Sequence, residues 1–216
     1  MKQISRIMVA NDTLDGMPEA LGKAAVLEHY TGAAIDVVEV VYDTIAEEPP
    51  EVLPRDQQTT LIEAMKAAER TGLRHLIGPH KDHVAIIEPQ VLWNKQADEA
   101  ILQVLGDDAD QLLIKPVSTH RQLTDFFQTP LDWALMRQAP CPVLISKGQG
   151  WSKPGHVLAA VDVSDAAHDA LCREILVTAA TLAAVLGTEL HVASAYPSLG
   201  QSMNELQVAM DYEGIK

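Results

Sequence analysis

Aromatic residues are scarce in this 216-residue chain, 4% of it, although 47% is hydrophobic. A core must therefore be built from Ala, Val, Leu and Ile, which suits parallel strands buried on both faces under closely packed helices. Cysteine is nearly absent. Cys141 and Cys172 form no CxxC or metal-ligand spacing, so free thiols in a reducing cytoplasm are expected rather than a disulfide scaffold. Cationic residues are few, 16 Lys and Arg against 30 Asp and Glu, for a net charge of −14. So acidic a surface repels phosphate backbones and anionic lipid, which argues against nucleic acid or membrane as a partner. No apolar run reaches the ~18–20 residues of a spanning helix, and the N-terminus lacks the parts of a signal peptide. Glycine is missing throughout residues 107–147.

What is present alternates between two periods. Ile4–Val9 reads as an apolar strand, and Asn11-Asp12 punctuates it. A helix opens at Asp15, Gly16 and Pro18 and stops at Gly32. Ala34–Val41 reads as a β-branched strand. Residues 43–55 read as an acidic, proline-rich loop, followed by a helix over Gln57–Leu76 with Leu61, Met65 and Ala68 on one face, closed by Gly78-Pro79. Ala85–Trp93 reads as a strand in which Pro89 implies an interruption or an edge position. Lys95–Leu105 has the helical spacing of Ala97, Ala100, Ile101, Val104 and Leu105. Gln111–Lys115 and Pro142–Ser146 complete the strands, with a short helix over Leu131–Gln138 between them. Strands and helices in this order give an α/β fold: an open five-stranded parallel sheet with helices on both faces and right-handed crossovers.

The pattern then restarts. Arg6-Ile7-Met8-Val9-Ala10-Asn11-Asp12 is answered by His156-Val157-Leu158-Ala159-Ala160-Val161-Asp162, about 150 residues on, and a helix over Ala166–Leu186 and a strand over Glu189–Ala195 follow. The expected organisation is a first domain over 1–148, a linker over 149–155, and an incomplete second repeat over 156–216, holding strand, helix, strand and tail.

The strings Phe127-Gln128-Thr129-Pro130-Leu131-Asp132-Trp133 and Ala139-Pro140-Cys141-Pro142-Val143-Leu144-Ile145, with the restart at His156–Asp162, resemble the universal stress proteins, and specifically their tandem, two-domain E-type branch. That resemblance implies the open sheet already read from the element order, and ATP binding in some members through a G-x2-G-x9-G-[ST] stretch after the fourth strand. Glycines let backbone N–H groups approach phosphate, and the next helix offers its positive end. Here the equivalent stretch begins Lys115-Pro116-Val117-Ser118-Thr119-His120-Arg121-Gln122, without glycine, and Pro116 removes a backbone donor. The resemblance further implies pairing through the fifth strand. Val143, Leu144 and Ile145 form an apolar edge, so a homodimer, or pairing of the two repeats within the chain, is expected there.

Candidate binding residues follow from position. Asp12 and Asp162 end first strands, where open α/β sheets bind ligands. Each equally serves as a helix cap or turn former. Lys115, His120 and Arg121 could bind an anion through side chains, or simply form a solvated loop. His75, His80, Asp82 and His83 cluster without a recurring metal spacing, so no metal is expected. Cys141, between two prolines, and Cys172 read as packing residues, Ser118 and Ser164 lack a GxSxG context, and Trp133 with Phe126 and Phe127 reads as core packing.

These observations together lead to a non-enzymatic binding or scaffold protein of the stress response, with no cofactor and without a working ATP loop in its first domain. The alternative is an ATP-binding or slowly ATP-hydrolysing protein whose nucleotide site belongs to the second repeat.

Overall fold

Runs of β-branched and aliphatic residues bounded by glycine and proline become strands. In the computed structural model, which describes residues 4–80, 85–117, 130–148, 150–151 and 155–195, they are β1 (Arg6–Asn11), β2 (Ala34–Val41), β3 (Gln90–Trp93), β4 (Gln111–Pro116) and β5 (Val143–Ser146). They form one sheet in the order β3-β2-β1-β4-β5, parallel at every pairing. The expected five-stranded parallel sheet is therefore borne out. Its helices are α1 (Met17–Thr31), α2 (Arg55–Ile77), α3 (Ala97–Leu105) and α4 (Pro130–Gln138). α1 packs with α2 and α3 packs with α4, one pair to each face.

The two faces separate by the strand alternation of side chains. Met8, Ala10, Val38, Val40 and Leu113 point into one apolar cluster with Ala100, Ile101, Leu105, Leu131, Leu135 and Cys141. Ile7, Val9, Ile35 and Val37 bury the opposite face, where α1 contributes Met17, Ala20, Leu21, Ala24 and Leu27. Burying one such aliphatic side chain is worth roughly 1.5–3 kcal/mol, and no aromatic residue is among the buried side chains of the described residues.

Several local expectations shift in the structure. Pro89 does interrupt its strand: Ile86 makes an isolated bridge to Ile35, and only Gln90–Trp93 pairs with Val38–Val41, at the sheet edge. Part of the loop over 43–55 coils into a 3-10 turn, Thr44–Glu47, whose entry Asp43 caps by accepting from the Ile45 N–H. On α2 the fully buried residues are Leu73 and Ile77; Leu61 and Met65 are half-buried and Ala68 is exposed. The C-terminal half of this helix is the part that reaches the sheet. Trp133 is not core: it is 39% exposed, with the Arg137 guanidinium 5.4 Å from its ring centre. α4 buries Leu131 and Leu135 instead, while Phe126 and Phe127 lie outside the described residues.

The chain divides into two compact units, the first ending at residue 152 and the second beginning at residue 153. In the second, β6 (His156–Ala160) and β7 (Glu189–Ala193) pair in parallel, and α5 (Asp169–Leu186) follows a 3-10 turn over Ala166–His168. Among its described residues the buried side chains are Ala159, Ala179 and Ala183. Leu171, read from the sequence as part of the packed face, is 59% exposed. Among the described residues, the two strands cover only part of the α5 apolar stripe.

Candidate functional site

In the first unit the strand order reverses between β1 and β4, and the carboxyl ends of strands at such a point form the crevice where open α/β sheets take ligands. β1 delivers Asn11 and then Asp12; β4 delivers Lys115, Pro116 and Val117. Among the described residues, several of the protein's own groups meet one another there. Lys115 is buried, and its ammonium donates to Asn11 Oδ1 at 2.6 Å and to the Pro116 carbonyl at 2.7 Å. It also lies 3.2 Å from Asp132 Oδ1, on the first turn of α4. The ammonium is thus held by two hydrogen bonds and one ion pair. Asn11 in turn donates through Nδ2 to the Asp15 carbonyl at 3.1 Å, which draws the β1–α1 turn toward the strand end.

Gly16 closes the arrangement. It sits at φ +76°, and a Cβ there would stand 2.8 Å from the Val117 carbonyl oxygen and 3.2 Å from Pro116 Cβ. The α1 entry is thus pressed onto the exit of β4. α1 starts with no side-chain cap, so the capping role considered for Asp12 falls to no side chain. Asp12 itself is exposed.

A second buried charge lies one strand away. Glu39, opposite Asn11 in the β1–β2 register, is 1% exposed, and its Oε2 has no hydrogen-bond partner. Burial, reinforced by the negative charges of Glu69 and Asp12, pushes its carboxyl up to about 8. Lys23 of α1 is buried too. It donates to Ser146 Oγ at 3.1 Å and to the Lys147 carbonyl at 3.0 Å, tying α1 to the end of β5, and desolvation lowers its pKa.

The other sequence candidates are scattered. Asp162 is half exposed beyond β6, accepting from the Ser164 N–H at 2.9 Å and the Ser164 hydroxyl at 2.6 Å, with His168 Nδ1 at 3.0 Å. The Ser164 bonds hold its carboxyl below the ordinary range. It shapes the turn into the following helix. His120 and Arg121 lie outside the described residues, as do Asp82 and His83. Val143, Leu144 and Ile145 are half-buried on β5, an edge strand of the sheet. Cys141 is buried, and desolvation raises its thiol, the opposite of an activated nucleophile. Cys172 places its Sγ 3.1 Å from the Asp162 carbonyl. Among the described residues, no three His, Cys, Asp or Glu ligand atoms converge on the crevice, and no helix is long and apolar enough to cross a membrane.

Sequence reasoning did not single out Asn11, Asp132 or Glu39. Asn11 stood at a strand end as a punctuation mark, and Asp132 inside a family-like string. Glu39 was detectable only as a charge inside an otherwise apolar strand.

Comparison with known proteins gives a consistent picture. Residues 3–147 match the profile of the Universal stress protein family. Among curated proteins, Universal stress protein E of Photorhabdus laumondii is 29% identical over 195 residues, 88% of this chain and 62% of the relative. Universal stress protein E of Escherichia coli is also 29% identical, over 88% of this chain and 61% of its own. The chain thus spans about three fifths of the length of these relatives. Among solved structures, one from Pseudomonas aeruginosa described as a universal stress protein superposes with a TM-score of 0.61 at 24% identity, covering 98% of this chain and 68% of that one. Universal stress protein UspA of Lactobacillus plantarum gives 0.53 at 18% identity, covering 67% and 99%. Both share the fold.

Proposed function

Since the chain belongs to the universal stress protein family, matched over residues 3–147, we propose that its first unit is a non-enzymatic binding or scaffold module of the stress response, without a nucleotide. The packing between β1 and β4 carries this reading. Lys115 holds Asn11 and Asp132 together where a phosphate would need a free cation. Gly16 abuts the Val117 carbonyl where a phosphate would need open backbone N–H groups. Residues 107–147 offer no glycine to relax that contact. The buried, raised Cys141 thiol and the internally paired Lys115 supply no nucleophile or free base for chemistry.

A module of this kind acts through its surface. β5 lies at one edge of the sheet, and its Val143-Leu144-Ile145 run gives a second copy, or a partner repeat, unpaired backbone and apolar side chains to add to. The partner proteins are recognised there or on the acidic exterior.

Calorimetric titration of the whole chain with MgATP tests the reading. The expected result is no heat of binding up to millimolar nucleotide; micromolar affinity would overturn it.

A further inference from the structure

We propose that His156, Glu189 and His191 of the second unit form a binding site for a single divalent first-row transition-metal ion of the Zn2+ class. This departs from the sequence expectation of no metal, because the three residues are brought together by strand register and not by spacing. In the β6–β7 pair His156 stands opposite Glu189, and Leu158 stands opposite His191. Glu189 and His191 are two residues apart on one strand, so they share a face. Parallel pairing sets His156 on that same face.

The face is open. Exposure along β6 alternates, with His156, Leu158 and Ala160 exposed and Val157 and Ala159 turned inward. Glu189 and His191 are likewise exposed. One ligand atom from each of the three residues lies within 4.8 Å of the others. Glu189 Oε2 is 3.8 Å from His156 Nδ1 and 3.5 Å from His191 Nε2, and the two imidazole rings meet edge to face at 4.8 Å between centres.

These separations fit a known coordination size. Zinc bonds of about 2.0–2.1 Å in a tetrahedron place neighbouring donors about 3.3 Å apart. Both carboxylate–imidazole distances need close by only a few tenths of an ångström, which exposed side chains achieve by small rotamer adjustment. Two imidazoles and one carboxylate suit zinc, nickel, copper or cobalt, whereas magnesium and calcium require oxygen donors. A bound ion would keep its remaining positions for water. It would also clip β6 to β7, the two strands paired among the described residues of this unit.

The test is calorimetric titration of ZnCl2 into the full 216-residue chain, free of any histidine tag, with parallel titrations of four variants. The expected result is one ion bound per chain at micromolar affinity, unaffected by excess Mg2+. His156→Ala or His191→Ala should weaken binding by at least about tenfold, the equivalent of 1.4 kcal/mol, and the double variant should abolish it. His75→Ala/His80→Ala, which alters the other histidine cluster, should leave it unchanged. Absence of zinc binding at millimolar metal overturns the proposal. So does undiminished binding by the His156→Ala/His191→Ala chain, or loss of binding in the His75→Ala/His80→Ala chain. Circular dichroism of each variant separates loss of ligand from loss of fold.

Discussion

The Lys115 ammonium meets Asn11 Oδ1 at 2.6 Å across 104 residues of sequence, joining the ends of β4 and β1. The same group pairs with Asp132, whose side chain is largely buried. Removing one member of a buried ion pair leaves the other uncompensated, at a cost of about 3–5 kcal/mol. Lys115→Met should therefore lower stability to urea by about that amount, and Lys115→Met/Asp132→Leu should recover much of the loss. Equal losses in the single and double variants would show that the pair is not the cause.

Gly16 and Gly32 provide an internal comparison. Both have positive φ, 76° and 68°, but a Cβ at Gly32 would meet nothing within 4 Å, whereas one at Gly16 would strike the Val117 carbonyl. Gly32→Ala should cost roughly 1 kcal/mol from backbone conformation alone. Gly16→Ala should cost clearly more, read as a larger fall in urea midpoint, because the β4 exit must also move.

Glu39 makes stability depend on pH. Its folded carboxyl lies at about 8, while an unfolded glutamate titrates near 4.3. Between these values the folded state holds the extra proton, so stability is greatest below the unfolded value and declines as pH rises toward 8, then levels off. Glu39→Gln should be close to neutral at pH ~5 and stabilising by more than about 1 kcal/mol at pH ~9, since the amide carries no charge to desolvate. Urea titrations at the two pH values check this; an identical effect of the substitution at both would remove Glu39 as the source.

Pairing through β5 should make the chain dimeric at tens of micromolar by light scattering. Leu144→Lys, which places a charge on that edge, should shift the mass toward monomer while leaving the circular dichroism spectrum unchanged. A wild-type monomer at that concentration argues against the β5 interface.

The sheet is legible in the sequence because its strands are short aliphatic runs separated by helical periods, and Pro89 marks an interruption or an edge. The α3 face, from Ala97 to Leu105, was equally plain, since its apolar residues recur at helical spacing. The site was less so. Lys115 stood out as a cation at a strand end, but its partners Asn11 and Asp132 are close only through β-sheet order and α4 packing, which local sequence does not encode. Trp133 misled for the opposite reason: a large aromatic suggests a core, yet the neighbouring Leu131 and Leu135 filled that space and left the ring beneath Arg137. His156, Glu189 and His191 needed strand register before they became a group.

The touching of Gly16 and Val117 also bears on how easily this domain could gain a triphosphate pocket. Replacing Pro116 with glycine would supply one missing amide, yet Gly16 at the α1 entry would still lie against the carbonyl of the next residue, Val117. Two segments far apart in the gene would have to change together, the start of one helix and the end of one strand, before any single improvement in phosphate contact could be felt.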